Sequence, residues 1–223
     1  MFNNDFIPAP NSVAELLATT KSLAGLTIGE LAKRFQFNMP ENPTYAKGLL
    51  GQLLERALGA YAGSQSVPDF TQLGIELKTL PINQLGKVLE TTYVCVVPMK
   101  PTPDLSWRKS AVYQKLAHVL WLPIQADAPI AERKIGSGFL WQMPLAIEAI
   151  LKQDWEELME EVVMGRVEMM TAKQGMYLQI RPKAHDSSVR TQSIGEEGQM
   201  IQALPKGFYL RTAFTQQLLN EYF

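Results

Sequence analysis

The stretch Gly74-Ile75-Glu76-Leu77-Lys78-Thr79-Leu80 constrains the fold more than any other part of the chain. It is an apolar-rich run that follows Leu73, is entered at a glycine and is closed by Pro81, which predicts a strand over Leu73 to Leu80. Side chains alternate along a strand, so Glu76 and Lys78 share one face while Ile75, Leu77 and Thr79 share the other. The second face is apolar enough to be core. The chain must therefore cover it with another layer while holding an acid and a base together on the opposite side. Just upstream, Pro68 fixes its own φ and biases Val67 towards extended geometry. Gly74 then permits a turn or bulge that brings Asp69 beside Glu76.

Two converging carboxylates repel each other unless a cation sits between them. Oxygen ligands with room for water and a phosphate oxygen suit Mg²⁺, which activates a water and offsets charge on a phosphorane. Lys78 would reach the same phosphate and help to position or deprotonate the nucleophile. Acid-x-lysine strings are common, and an exposed Glu76–Lys78 pair alone would contribute little. The wider context favours a site for phosphodiester hydrolysis: Asp69 lies ahead of Glu76, and a helix with a further acid precedes both. That helix is predicted over about Thr44 to Tyr61, where Leu49, Leu50, Leu53, Leu54, Ala57, Leu58 and Tyr61 form one stripe. Lys47, Gly51 and Glu55 fall on a neighbouring face. If the helix packs beside the strand, Glu55 joins Asp69 and Glu76 near the metal; otherwise it is a solvated acid beside Arg56.

Composition narrows the alternatives. The 223 residues, with 46% hydrophobic and 19% charged side chains, suffice for one large domain or two tightly joined lobes. A net charge of -1 means that any nucleic-acid surface must come from segregated charge. A single cysteine, Cys95, excludes an intramolecular disulfide framework, and two histidines supply no Cys/His zinc constellation. No targeting segment and no apolar run long enough to span a bilayer is evident, so a soluble cytoplasmic protein is expected.

Along the rest of the chain, Asn11-Ser12 and Thr27 to Glu30 have helix-capping patterns. A turn over Asn83 to Lys87 leads to a strand over Thr91 to Val97, and Asp104 or Ser106 can cap a helix through Tyr113. Leu116 to Leu122 predicts a buried strand with Lys115 at its mouth and His118 as an interior histidine. A second long helix spans Pro144 to about Met164, and the glutamates 156, 157, 160 and 161 form a solvated acidic face. Val167 to Ile180 predicts a hairpin turning at Lys173-Gln174-Gly175. The basic, hydroxyl-rich run from Arg181 to Gln192 predicts a loop suited to reading a DNA groove. Pro205 to Arg211 predicts the opening of a terminal helix.

Several strings together resemble a known family: Pro68-Asp69, Gly74 to Thr79, Leu89-Glu90-Thr91-Thr92, Val119-Leu120-Trp121, Asp154 to Met159, Leu178 to Ala184 and Gly207 to Leu210. In this order and over nearly the whole chain they are similar to the MutH endonucleases of methyl-directed mismatch repair. The resemblance implies a restriction-endonuclease-like α/β fold, a mixed sheet flanked by helices, with two lobes of one domain, residues 1–223, around a DNA-binding cleft. It also implies Mg²⁺-dependent nicking of the unmethylated strand at hemimethylated GATC, 5′ to the G, by a monomer that MutL activates after MutS has found a mismatch. Under it Glu55, Asp69 and Glu76 hold one or two ions, Lys78 acts on the nucleophile or phosphate, and Lys115 supports the site. Lys47 would lie near the scissile phosphate, Arg181 and Pro182 would belong to the base-reading loop, and Tyr209 would sense adenine methylation. Tyr93 stands where the family is expected to carry Phe, which keeps an aromatic contact to DNA. A restriction enzyme of the same fold that cuts both strands would need a dimer or a second catalytic domain, and a single triad in so short a chain favours nicking. A non-catalytic DNA-binding module is the alternative from another class, and an intact Asp69, Glu76 and Lys78 argues against it.

Overall fold

The computed structural model describes residues 7–38, 43–61, 67–184, 186 and 188–223, with the backbone alone for 43–47. The chain divides into two compact units: Met1–Glu90 with His118–Gln142 and Tyr222, and Thr91–Ala117 with Met143–Glu221 and Phe223. Elements are numbered in chain order across both.

The first unit holds helices α1 (Val13–Leu23), α2 (Ile28–Arg34) and α3 (Pro43–Leu58) and strands β1 (Glu76–Ile82), β3 (His118–Gln125) and β4 (Phe139–Gln142). The caps expected at Ser12 and Thr27 form, whereas the helix through Tyr113 is capped by Ser110 and not by Asp104 or Ser106, which lie ahead of a separate 3-10 turn. Ser12 accepts from the Glu15 amide, and Thr27 and Glu30 exchange the reciprocal bonds of a capping box. Strand β3 is central, parallel to β1 and antiparallel to β4. One face of this sheet carries Leu77, Leu120, Leu122 and Ile124, buried in one cluster with Leu16, Leu31, Leu53, Leu54 and Leu58 of the helices. That cluster is the apolar layer demanded by the β1 alternation, and it leaves Glu76 and Lys78 on the opposite face.

The second unit holds β2 (Thr92–Val96), β5 (Leu178–Pro182), β6 (Thr191–Ile194), β7 (Met200–Ala203) and β8 (Lys206–Leu210). Its helices are α4 (Ala111–Leu116), α5 (Leu145–Val163) and α6 (Thr212–Tyr222). Strand β8 is central in an antiparallel sheet of order β2-β8-β5, and β6 pairs with β7. Leu178 opposite Leu210 and Ile180 opposite Phe208 are buried on one face. Gln179 opposite Tyr209, with Tyr93 beyond, lie on the other.

Several local expectations change. Pro81 does not close β1, which runs on to Ile82. The strand is at the edge of its sheet, where a missing N–H is tolerated, and the Pro81 carbonyl accepts from the Leu89 amide at 2.9 Å. Leu116 and Lys115 end helix α4, capped by Ser110, and the strand begins only at His118. The hairpin over Val167 to Ile180 does not form: Val167–Met169 is one 3-10 turn and β5 pairs with β8. Lys206–Leu210 is a strand, in which Phe208 and Leu210 alternate with Gly207 and Tyr209; Arg181 and Pro182 end β5 and do not lie in a loop.

Candidate active site and nucleic-acid interface

The acidic site is built by a very short hairpin. Phe70 and Ile75 form an antiparallel pair, with the Phe70 amide 2.8 Å from the Ile75 carbonyl. The turn between them closes through Leu73 N–H to the Phe70 carbonyl, 2.9 Å, with Gly74 at φ +65°. A side chain at that φ would be strained, which is why a glycine stands here. One step outward from the pair, Asp69 comes level with Glu76, and its Oδ2 accepts from the Leu77 amide at 2.9 Å. This bond fixes one carboxylate oxygen and orients the group.

Glu76 and Lys78 meet as the strand alternation predicts, with Lys78 Nζ 3.0 Å from Glu76 Oε1. All three side chains are buried: Asp69 is 8% exposed, Glu76 3% and Lys78 7%. Ion pairs held this far from water are interactions of structural or chemical consequence, unlike solvated surface pairs. Glu55 is half-buried in the penultimate turn of α3, within the same unit. Among the described residues no group of three His, Cys, Asp or Glu side chains stands ready to hold a metal ion. A pair of carboxylates is nevertheless the donor set that suits Mg²⁺, which keeps several waters and seldom occupies an all-protein cage. The oxygen-only donors Asp69 and Glu76 therefore fit that ion.

Lys115 is half-buried in the last turn of α4, in the second unit. Lys47 lies in α3, and its side chain is outside the described residues.

The other expected residues gather on the second unit's sheet. Tyr93 and Tyr209 are cross-strand partners whose rings meet edge to face, 5.3 Å between centroids. Beside them, Gly207 lets both rings pack against the backbone: a Cβ there would lie 3.0 Å from Tyr93 Cε2 and 3.1 Å from Tyr209 Cε2. Arg181 is opposite Gly207, exposed, and donates to Thr91 Oγ1 at 3.2 Å. Pro182 follows, also exposed. Burial pushes the Tyr93 phenol up to about 12, with Cys95 and Tyr209 adding to it. Burial also raises Tyr209, opposed by the nearby Arg181. Both rings stay uncharged near neutrality, so neither would repel a phosphate. Sequence reasoning gave no role to Lys183, whose Nζ stands 4.2 Å over the Tyr93 ring. Its place in Arg181-Pro182-Lys183 was the available signal. It also missed Gln179, buried in the row with Tyr93 and Tyr209, whose position follows only from strand register.

A family model described as DNA mismatch repair enzyme MutH matches residues 58–154, which include Asp69, Glu76, Lys78 and Lys115. A DNA mismatch repair protein MutH of Vibrio cholerae serotype O1 is 49% identical over 218 residues, 97% of this chain and 99% of that protein. One from Serratia proteamaculans is 47% identical over 218 residues, 97% of this chain and 96% of its own length. One from Shewanella oneidensis is 46% identical over 216 residues, 96% of this chain and 97% of its own length. The chain belongs to the MutH family. MutH proteins are DNA mismatch repair endonucleases with a restriction-endonuclease-like fold, so this chain is a DNA-binding nuclease, a hydrolase of DNA repair. No helix among the described residues is long and apolar enough to cross a membrane.

Proposed function

We propose that this MutH chain nicks the unmethylated strand of hemimethylated GATC duplexes, 5′ to the G, in a Mg²⁺-dependent reaction. The observation that carries the reading is the buried Asp69–Glu76–Lys78 constellation, held by a glycine turn and one strand. Asp69 and Glu76, with Glu55 as a third acid, would hold one or two ions. Bound there, the metal supplies Lewis-acid stabilisation of the phosphate and an activated water.

The chain's own groups then have separable tasks. The Leu77 amide keeps the Asp69 carboxylate oriented beside Glu76. Glu76 holds Lys78 close; Lys78 places its Nζ against the phosphate and either orients the nucleophile or takes its proton. Lys115 is a supporting lysine and Lys47 a contact near the scissile phosphate. On the second unit Arg181 and Pro182 read base edges and Tyr93 packs an aromatic ring against DNA. Tyr209 senses the adenine. N6-methylation removes one donor proton and adds bulk on the major-groove edge, and a neutral ring packed against that edge admits the amine and rejects the methyl.

The whole chain, residues 1–223, acts as one catalytic domain, a cytoplasmic monomer with weak resting activity. MutL, recruited after MutS binds a mismatch, favours the state in which the acids, Lys78 and the phosphate align. The test is strand-resolved cleavage of unmethylated, hemimethylated and fully methylated GATC duplexes with Mg²⁺, with and without MutL, for the wild type and Glu76→Ala. Nicking restricted to unmethylated strands and lost in Glu76→Ala supports the reading. Absence of metal-dependent cleavage even with MutL sinks it in favour of a DNA-binding module, and cutting of both strands by a dimer favours a restriction enzyme.

A further inference from the structure

The loop that launches β5 is held from two sides by opposite charges. On one side Asp154 of α5, a buried carboxylate, accepts three consecutive backbone amides: Met176 at 2.7 Å, Tyr177 at 2.6 Å and Leu178 at 2.8 Å. On the other side Arg211 donates to three carbonyls of the same loop: Ala172 at 2.8 Å, Gln174 at 2.9 Å and Gly175 at 3.0 Å. The Arg211 amide donates in turn to the Tyr177 carbonyl at 2.9 Å. Gly175, at φ +79°, turns the chain between the two grips, and a Cβ there would lie 1.9 Å from the Leu178 carbonyl oxygen.

These contacts do more than satisfy a loop. Leu178, held by Asp154, is the residue at which β5 registers with Leu210 of β8. Arg211 directly follows Leu210 and is two residues from Tyr209. From that anchored rung the register runs Gln179 opposite Tyr209, then Arg181 opposite Gly207. A slip of one residue on β5 would turn Arg181 to the buried face and bring an apolar side chain beside Tyr209. Charge-assisted hydrogen bonds are about twice as strong as neutral ones, and this cluster concentrates them at the start of one strand.

We infer that Asp154 and Arg211 are positioning residues for base recognition, a clamp that locks the spacing between Arg181 on β5 and Tyr209 on β8. The inference rests on the proposed reading role of those two side chains. Neither clamp residue touches DNA in this account; each acts through the strand it anchors.

The experiment measures kcat/KM for the full chain, with MutL, on a hemimethylated GATC duplex and on duplexes altered by one base or methylated on both strands. The variants are Asp154→Asn, Arg211→Gln and Arg211→Lys. Asn keeps one acceptor oxygen but sets an amide group against a backbone N–H, and Lys keeps the charge without the fork that spans three carbonyls. The expected result is a fall in the cognate-to-altered ratio of about tenfold in Asp154→Asn and Arg211→Gln, within the range one bidentate base contact contributes. Arg211→Lys should fall between these and the wild type. Amide exchange at Met176, Tyr177 and Leu178 should quicken in step with the loss of discrimination. A purely structural role scales all substrates down together with the folded fraction; an unchanged ratio in Arg211→Lys and in whichever other variant folds overturns the proposal. Failure of the wild type to prefer GATC would instead overturn the functional reading beneath it.

Discussion

Breaking the Glu76–Lys78 pair should cost far more than removing it whole. Their side chains are 4% and 6% exposed and their charged atoms 3.0 Å apart. At an effective dielectric of about 20 the attraction at this distance is ~5 kcal/mol. Burial costs each ion several kcal/mol of hydration, so the intact pair nets little. Deleting one partner leaves the other's burial cost without its main compensation, about 3–5 kcal/mol. Lys78→Met and Glu76→Gln should each lower unfolding free energy by that amount, and the double variant Glu76→Gln/Lys78→Met should recover most of it. Urea unfolding with unchanged slope measures each change, and the double-mutant cycle isolates the coupling. All the variants should lose nicking, including the restored double, which separates chemistry from folding. A Lys78→Met variant destabilised by less than about 1 kcal/mol, or additive losses in the double, would refute the argument from buried charge.

Other perturbations test neighbouring features. Asp69→Ala removes the acceptor of the Leu77 amide, and loss of nicking should come with a stability cost of about 1–3 kcal/mol in urea unfolding. Gly207→Ala pushes a methyl against both tyrosine rings; we expect a loss of about 1–3 kcal/mol and weaker discrimination of GATC, and an unchanged midpoint would mean the rings yield freely. Tyr93 titrates at about 12 in the fold against 10.0 unfolded, so its contribution is intact below pH 10 and lost as pH rises towards 12. Tyr93→Phe should flatten that limb of the stability profile. His118 is held below its ordinary 6.5 by burial, so its folded form is preferentially neutral and stability falls as pH drops through 6.5. His118→Gln should reduce the acid slope, and a steeper slope would reverse the assignment.

The sequence by itself determined what is local. The alternation of Glu76 and Lys78, the turn glycine at Gly74, the capping box at Thr27 and the apolar stripe of α3 depend on residues a few positions apart. Short-range geometry decides these, and the motif strings carried the family with them. Partnerships across long separations were not legible. The Val167 to Ile180 segment has hairpin composition, yet Asp154 and Arg211, remote in sequence, take up its backbone groups and hand its second strand to β8. Lys206 to Leu210 looks like a helix opening after a proline, and becomes a central strand because β2 and β5 bond to both its edges. Tyr93, Tyr209 and Gln179 share a row only through register. Sequence thus determined which side chains could do the chemistry; tertiary structure decided which strands stand side by side, because a backbone hydrogen bond carries no residue identity and only packing selects its partner.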